Sequence, residues 1–408
     1  MPCHRLARVA VHTAAIEGGT DMRGNRAPLA TIAREWTRIG VTGFGGPPAH
    51  ITLLRRLVVA REGWMDARSF EDAIAACNLL PGPASTQLAI FSAYRVGGWP
   101  GAIIGGLGFV VPAVVMVLAL STVFLASAPP DWIRVAGAGA GAAVAAVALR
   151  AGLDLVGPSF ARVRADGRQE VRWFAYLAAG AIAGALTGAF LVLVLFACGL
   201  LELALRRRAA ARTLALDGTP LALLAGVVAA GGGIGALCWT ALKVGGLSFG
   251  GGFVIVPLMQ GDAVHTYHWM TNSEFLNAVA LGQVTPGPVT GTIAAVGYAA
   301  HGVGGALLAA AVAFIPSFSF ILLGGGRFER LRANANARAF LDGAGPAAIG
   351  AIFGAAIPLA GALSEAWQFL VLGAAVLSLL ALRRGIVFTL LAAGCAGVVI
   401  ALAGGPVP

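Results

Sequence analysis

Leu80-Pro81-Gly82-Pro83-Ala84-Ser85-Thr86-Gln87 lies inside a long apolar stretch, and 205 positions later Thr285-Pro286-Gly287-Pro288-Val289-Thr290-Gly291-Thr292 lies inside another. Pro-Gly-Pro interrupts a helix, because proline has no N–H to donate and glycine disfavours the helical state. The same register carries Arg38 onto Lys243, Phe44-Gly45-Gly46 onto Phe249-Gly250-Gly251, Trp64-Met65 onto Trp269-Met270 and Phe70 onto Phe275. After a one-residue slip, an offset of 204 pairs Tyr94 with Tyr298, Gly101-Ala102 with Gly305-Ala306 and Pro112 with Pro316. Trp-Met and Pro-Gly-Pro falling in one register mark an internal duplication.

The duplicated chain is built for a bilayer. Of 408 residues, 58% are hydrophobic and 11% charged, and the mean hydropathy is +0.84, against roughly 45–50% apolar and 25% charged in soluble domains. Its 58 glycines suit membrane helices, whose backbones approach closely at small residues. The net charge of +10 is spread singly or in short clusters between apolar segments, which is a topology signal and not a nucleic-acid surface. Cys3, Cys77, Cys198, Cys238 and Cys395 show neither disulfide nor zinc spacing and read as small packing residues.

A window of about 20 residues, the length that crosses the hydrocarbon core, finds apolar segments near 34–58, 70–95, 99–126, 132–156, 172–188 and 189–205. Six more lie near 237–260, 274–299, 304–325, 339–361, 366–382 and 385–404. The expected organisation is a disordered cytoplasmic tail over 1–30, a first repeat over 31–212, a linker over 213–236 with a crossing near 220–233, and a second repeat over 237–408. Arginines mark the loops after segment 1 (Arg55, Arg56, Arg61, Arg68), between segments 4 and 5 (Arg162, Arg164, Arg168, Arg172) and after segment 6 (Arg206, Arg207, Arg208, Arg212). The second copy is complementary: Arg327, Arg330, Arg332 and Arg338 follow its segment 3, Arg383 and Arg384 follow its segment 5, and Val244 to Gly326 contains no Lys or Arg. Basic loops stay cytoplasmic, so the copies are predicted to be inverted. The fold expected is an all-α polytopic membrane protein of two inverted repeats, with interrupted or re-entrant helices at the Gly-Phe-Gly-Gly-Pro and Pro-Gly-Pro motifs. Non-helical backbone at membrane depth survives where it is buried or lines a cavity. Re-entrance from the cytoplasm predicts Glu62 and Gly97 on one face.

Broken helices from inverted repeats, meeting near the midplane, are how many secondary transporters build a substrate site. Helix N-termini at such breaks offer free N–H groups and a positive dipole end to an anion. The candidate anion-binding residues are Phe44, Gly45, Gly46, His50, Asn78, Pro81, Gly82, Pro83, Ser85 and Gln87 in the first copy. In the second they are Phe249, Gly250, Gly251, Gln283, Thr285, Pro286, Gly287, Pro288 and Thr290. Arg38 and Lys243, the single lysine of the chain, read either as site cations or as side chains snorkelling to an interface. His50 reads either as an anion or proton contact or as a packed histidine. Asp262, His265 and His268 have helical spacing but no further ligand, which leaves a solvated loop as the reading. No nucleophile triad, phosphate loop or intramembrane carboxylate pair is present, so neither an enzyme, a cofactor nor a metal is expected.

Gly43-Phe44-Gly45-Gly46-Pro47 with Ala49-His50-Ile51, Leu80-Pro81-Gly82-Pro83 with Ser85 and Gln87, Tyr94-Arg95, and Gly98-Trp99-Pro100-Gly101-Ala102 together resemble the chromate transporter family in its long, two-domain form. Ser248-Phe249-Gly250-Gly251-Gly252 and Thr285-Pro286-Gly287-Pro288 resemble that family's C-terminal domain. The resemblance implies chromate export across a bacterial inner membrane, chromate resistance, sulfate as a competing analogue, membrane lipid but no nucleic acid as partner, and room for a homodimer. Chromate is largely a dianion near neutral pH, so an inside-negative potential assists its exit by roughly 4.6 kcal/mol per 100 mV. Sulfate uptake and a passive anion channel are the alternatives.

Overall fold

The first interrupted segment is two helices that double back. The computed structural model describes residues 27–78, 80–126, 129–163, 167–186, 191–210, 232–248, 252–324 and 334–406. Within it α1 (Leu29–Thr42) stops where the Gly43 N–H caps the Ile39 carbonyl at 2.7 Å. Gly45 and Gly46 then turn the chain at φ 102° and 72°, values a side chain would resist. α2 (Pro47–Arg55) begins on proline, where a missing N–H costs no helical bond, and ends in a π turn, Arg56–Arg61. That turn brings Arg61 Nη2 to 2.7 Å from Glu35 Oε2, and Trp64 stacks on Trp36 with centroids 6.3 Å apart. Both limbs therefore open at the same end.

The second interrupted segment repeats the manoeuvre. α3 (Ala67–Cys77) leads into the Pro81-Gly82-Pro83 break, and α4 (Ala84–Phe124) leaves it. α4 breaks in turn at Gly98 (φ 66°, ψ −155°). Beyond the break Gly101 backs onto the Ala93 carbonyl and Gly105 onto the Ala93 side chain, so residues 84–97 and 99–124 run antiparallel in close contact. Gly97 packs on Ile32, one turn of α1 from the Glu35 that holds Arg61. Glu62 and Gly97 thus lie at one end of the bundle, as re-entrance requires. Residues 99–124, about 39 Å long at 1.5 Å per residue, are long and apolar enough for a full crossing.

The second copy follows the same path. α9 (Ile234–Leu247), α10 (Ile255–Gln260) and the π turn Gly261–Thr266 return so that Trp269 Nε1 donates to the Gly232 carbonyl at 2.9 Å. α11 (Asn272–Val284) enters Pro286-Gly287-Pro288, a 3-10 turn (Val289–Thr292) leaves it, and α12 (Ile293–Gly324) breaks at His301 and Gly302. Gly297 faces the Gly305 carbonyl across that break, the equivalent of Ala93 and Gly101.

The repeats interlock through reciprocal contacts, the signature of a two-fold relation. A methyl on Gly82 would stand 3.1 Å from the Gly245 carbonyl oxygen and 3.5 Å from Ser317 Oγ. On Gly287 it would stand 3.6 Å from the Gly40 carbonyl oxygen and 2.7 Å from Ala113 Cβ, and Gly40 and Ala113 are the repeat partners of Gly245 and Ser317. The residues just before each α4-type helix thus meet the far part of its counterpart, so the two crossing limbs are antiparallel. The hairpins of the first copy open toward the end carrying Arg34, Arg55, Arg61 and Arg68. Those of the second open toward the segment without Lys or Arg.

Around this centre α5 (Asp131–Ala142), α6 (Val144–Phe160), α7 (Gly167–Leu186), α8 (Leu191–Ala210), α13 (Ala335–Gly361), α14 (Ala366–Val376, with a π turn to Ala381) and α15 (Ile386–Leu402) form the scaffold. They pack across the repeats. Gly180 and Gly184 of α7 lie on Ala347 and Ala351 of α13, whose Gly350 and Gly354 lie on Leu177 and Ala181, small-residue spacing that lets backbones touch. Gly139 of α5 and Gly397 of α15 do the same at Ala393 and Val135. Segment 4 of the first copy, read from sequence as one span over 132–156, is two helices with Ala143 between them. Four stretches among the described residues are long and apolar enough to cross a membrane: Ala84–Phe124, Asp131–Phe160, Val289–Gly324 and Ala335–Gly361. The tail to residue 26, the linking span near 220–231 and Phe249-Gly250-Gly251 lie outside the described residues.

Candidate functional site

Four hairpin tips meet: 43–46, 80–86, the third at its described flanks Ser248 and Gly252, and 285–292. The Gly287 N–H donates to the Gly43 carbonyl at 3.1 Å, tying the second tip of one repeat to the first tip of the other. Gly82, Gly252 and Gly287 hold φ of 117°, 95° and 94°, so glycine is required where these tips turn. Each returning limb starts at a tip, which directs its N-terminal dipole end and its first unpaired N–H groups inward. The two tips of a repeat differ in donors. Pro47 and Pro48 remove two N–H groups from the start of α2, whereas Ala84, Ser85 and Thr86 keep theirs at the start of α4, whose first helical bond is Gln87 N–H to the Pro83 carbonyl at 3.0 Å.

His50 is fully buried and joins the two tips of the first repeat. Its Nε2 lies 2.9 Å from the Gly43 carbonyl oxygen, its Nδ1 lies 3.3 Å from Ser85 Oγ, and its ring meets Phe109 edge-on at 4.9 Å. The repeat partner of His50 is Ile255, and there Ser248 Oγ meets Thr290 Oγ1 directly at 3.3 Å. Gln87 Nε2 donates to the Pro81 carbonyl at 2.7 Å and so fixes the first Pro-Gly-Pro loop. Thr285 Oγ1 donates back to the Leu281 carbonyl at 3.0 Å, and Thr292, its neighbour beyond the break, to Val289 at 2.7 Å. Their hydroxyl protons are committed to backbone.

The structure brings Gly43, Gly45, Gly46, His50, Pro81, Gly82, Pro83, Ser85, Gln87, Thr285, Pro286, Gly287, Pro288 and Thr290 to the tips. It leaves Arg38, Phe44 and Asn78 exposed. Lys243 is held elsewhere: its ammonium sits 2.5 Å from Asp262 Oδ2, which also accepts from Thr240 Oγ1 at 2.7 Å, and lies 5.7 Å from the centre of the Trp239 ring. Asp262, read from sequence with His265 and His268 as a loop cluster, is therefore a buried ion-pair partner on the π turn. No group of three metal-ligating side chains occurs among the described residues.

Sequence reading missed Ser317. Its hydroxyl is fully buried without a hydrogen-bond partner, as are Thr86 Oγ1, Gln87 Oε1 and Gln283 Nε2. Buried polar atoms are rarely left unpaired; among the described residues the others without a hydrogen-bond partner are Arg172 Nε and Asn277 Oδ1, so four of the six lie beside the Pro-Gly-Pro breaks. The signal available in sequence was a mismatch between repeats, a serine just after Pro316 where Ala113 follows Pro112.

Asp154 and Asp342 are both engaged: Asp154 accepts from Arg150 at 2.9 Å, and Asp342 lies 2.9 Å from Arg206 Nη2. Arg206 also holds the buried Glu202 at 2.7 Å, and Tyr176 donates to that carboxylate at 3.0 Å. This cluster links α7 and α8 of the first repeat to α13 of the second.

The family model described as Chromate transporter matches the chain twice, over residues 30–203 and 235–398. The chain is 33% identical to the chromate transport protein of Cupriavidus metallidurans over 344 residues, covering 81% of this chain and 82% of the relative. It is 32% identical to the chromate transport protein of Pseudomonas aeruginosa over 382 residues, with 88% and 89% covered. A probable chromate transport protein of Synechococcus elongatus is 28% identical over 338 residues, with 81% and 84% covered. No solved structure matches.

Proposed function

The chain belongs to the chromate transporter family, and from that premise we propose that it exports chromate across the bacterial inner membrane by alternating access around the converging tips. The observation that carries this reading is the meeting of broken helices from two inverted repeats at unpaired buried hydroxyls. An oxyanion there accepts from the N–H groups and hydroxyls at the start of the returning limbs, and the dipole ends offset its charge without a free cation. The re-entrant halves stop at the tips, so rocking one repeat against the other exposes the same seat to either face.

Export is favoured by the distribution of charge. The buried carboxylates among the described residues, Glu35, Glu202 and Asp262, are each paired with a base, which leaves little to carry cations inward with a dianion. The membrane potential drives the anion out by roughly 4.6 kcal/mol per 100 mV for two charges. Sulfate, with the same tetrahedral oxygens, is the expected competitor. The test is chromate flux in proteoliposomes holding the purified chain. Saturable flux that is accelerated by chromate on the opposite side supports a carrier. Linear flux without counter-anion acceleration indicates a channel, and sulfate uptake without chromate flux indicates the importer.

A further inference from the structure

The two repeats offer two Pro-Gly-Pro niches, and the niches are chemically unlike. At Gly82 a methyl placed where the side chain is missing would meet Gln87 Nε2 at 2.7 Å, the Gly245 carbonyl oxygen at 3.1 Å and Ser317 Oγ at 3.5 Å. At Gly287 the corresponding neighbours are Ala113 Cβ at 2.7 Å, then the Gly40 and Phe109 carbonyl oxygens at 3.6 and 3.7 Å. Repeat partners differ in the same sense. Ser317 is replaced by Ala113, Thr86 by Gly291, and Gln87 by Thr292, whose hydroxyl is spent on Val289. The Ser317 and Thr86 hydroxyls are buried and unpartnered, whereas Gln87 spends its Nε2 donor on the Pro81 carbonyl. The second niche is also closed by a bond, since the Gly287 N–H already donates to Gly43.

We infer that the protein has one oxyanion seat, at the Thr86 and Ser317 hydroxyls beside Gly82, and that Ser317 of the opposite repeat donates its hydroxyl to the anion there. The inference rests on the transport reading above and adds a ligand residue and a stoichiometry. The first repeat supplies the loop, the free N–H groups of residues 84–86 and the Thr86 hydroxyl. The second supplies Ser317, so the anion bridges the repeats, and movement of one against the other changes the seat. The Gly287 niche, lined by Ala113 and sealed by its own N–H, is structural.

Ser317→Ala is a clean substitution, because removing an unpartnered buried hydroxyl does not remove a hydrogen bond from the protein. Ser317→Ala should keep or raise the thermal midpoint, raise the KM for chromate roughly tenfold and leave kcat near its original value, the pattern of lost ligand binding. Ser317→Thr, which retains the hydroxyl, should restore most of the affinity, and Ala113→Ser should leave KM unchanged. Equilibrium chromate binding to the purified full chain should reach one anion per chain. An unchanged KM in Ser317→Ala, a rise in KM in Ala113→Ser, or two anions bound per chain would overturn the single seat while chromate flux in the parent protein upholds the transport reading. Absence of saturable chromate flux in the parent protein would remove both.

Discussion

The first hairpin of each repeat is clasped by one acid and one base, but the partners have changed limbs. In the first repeat the acid, Glu35, is on the entering helix, and Arg61 on the returning limb reaches it at 2.7 Å. In the second the base, Lys243, is on the entering helix, and Asp262 on the returning limb meets it at 2.5 Å. The clasping partners do not correspond by position, since Glu35 corresponds to Thr240 and Asp262 to Leu57, and Arg38, the cation that does match Lys243, is exposed while Arg61 and Arg34 contact Glu35. The clasp is kept and its residues are not. Their surroundings differ as well, for Arg61 is 43% exposed while Lys243 is 12% and Asp262 3% exposed. The basic face can supply the first clasp with a solvated arginine, whereas the second faces a segment free of other cations and is sealed.

That difference predicts unequal costs. Lys243→Met strands the Asp262 carboxylate in a buried site and should destabilise by about 3–5 kcal/mol, the usual penalty for breaking a buried pair. It should be seen as a large fall in the thermal midpoint of the detergent-solubilised protein, or as loss of folded protein. Lys243→Met with Asp262→Leu should recover most of the loss, since Leu57 already fills that place in the first repeat. Arg61→Ala should cost about 1 kcal/mol, because Glu35 is still met by Arg34 at 3.3 Å and the lost partner is half solvated. Equal losses from Lys243→Met and Arg61→Ala would break the comparison.

A second test separates the niches by function. Gly82→Ala and Gly287→Ala both force a side chain onto backbone at φ near +100°, and each should cost about 1–3 kcal/mol of stability. Their effects on transport should part. At Gly82 the methyl meets Gln87 Nε2 and intrudes on the seat, so the KM for chromate should rise steeply. At Gly287 it meets Ala113 Cβ, and the KM should hold in whatever protein folds. A KM rise of similar size in both variants would make the niches equivalent.

Much of this plan was legible in sequence, because what survives duplication most visibly is backbone requirement. Gly82 and Gly287 recur because a left-handed turn demands glycine, and the prolines beside them recur because they end one helix and start the next. Loop charge showed the inversion for a similar reason, since sidedness acts on each loop by itself. Partnerships between side chains were not legible. Lys243 reads from sequence as a candidate site cation, and only the path of the π turn Gly261–Thr266 brings Asp262 back to neutralise it. The packing of α7 on α13 was hidden too. Gly180, Gly184, Gly350 and Gly354 look like any membrane-helix glycines until tertiary structure selects which pair of stripes meets. Ser317 escaped because a lone serine beside a proline carries no pattern of its own.

The smallest expected effect lies at the hairpin mouths, where acid and hydroxyl have again changed places. α3 is capped by Asp66, which accepts from the Ser69 N–H at 2.9 Å and from Ser69 Oγ at 2.6 Å. The equivalent helix α11 is capped by Thr271, whose hydroxyl accepts from the Glu274 N–H at 3.2 Å while Glu274 accepts from the Thr271 N–H at 2.7 Å. The same two positions hold an acid-then-hydroxyl cap in one repeat and a hydroxyl-then-acid box in the other. In the first repeat the cap itself carries the charge. Hydrogen bonds from the Ser69 side chain and backbone hold the Asp66 carboxyl below its ordinary value. A carboxylate whose folded pKa is depressed stabilises the fold above its unfolded pKa and loses that contribution as pH falls through the folded value. Acidification below the ordinary carboxylate range should therefore lower the protection of the first-turn amides of α3 against exchange, measured relative to their intrinsic rate at each pH. Asp66→Asn, which accepts without titrating, should flatten that response, and Thr271→Ala should loosen the first turn of α11 by about 1 kcal/mol at neutral pH. An acid response in the first turn of α3 that survives Asp66→Asn would show that another group controls this mouth, and the exchanged cap would then be a coincidence of composition.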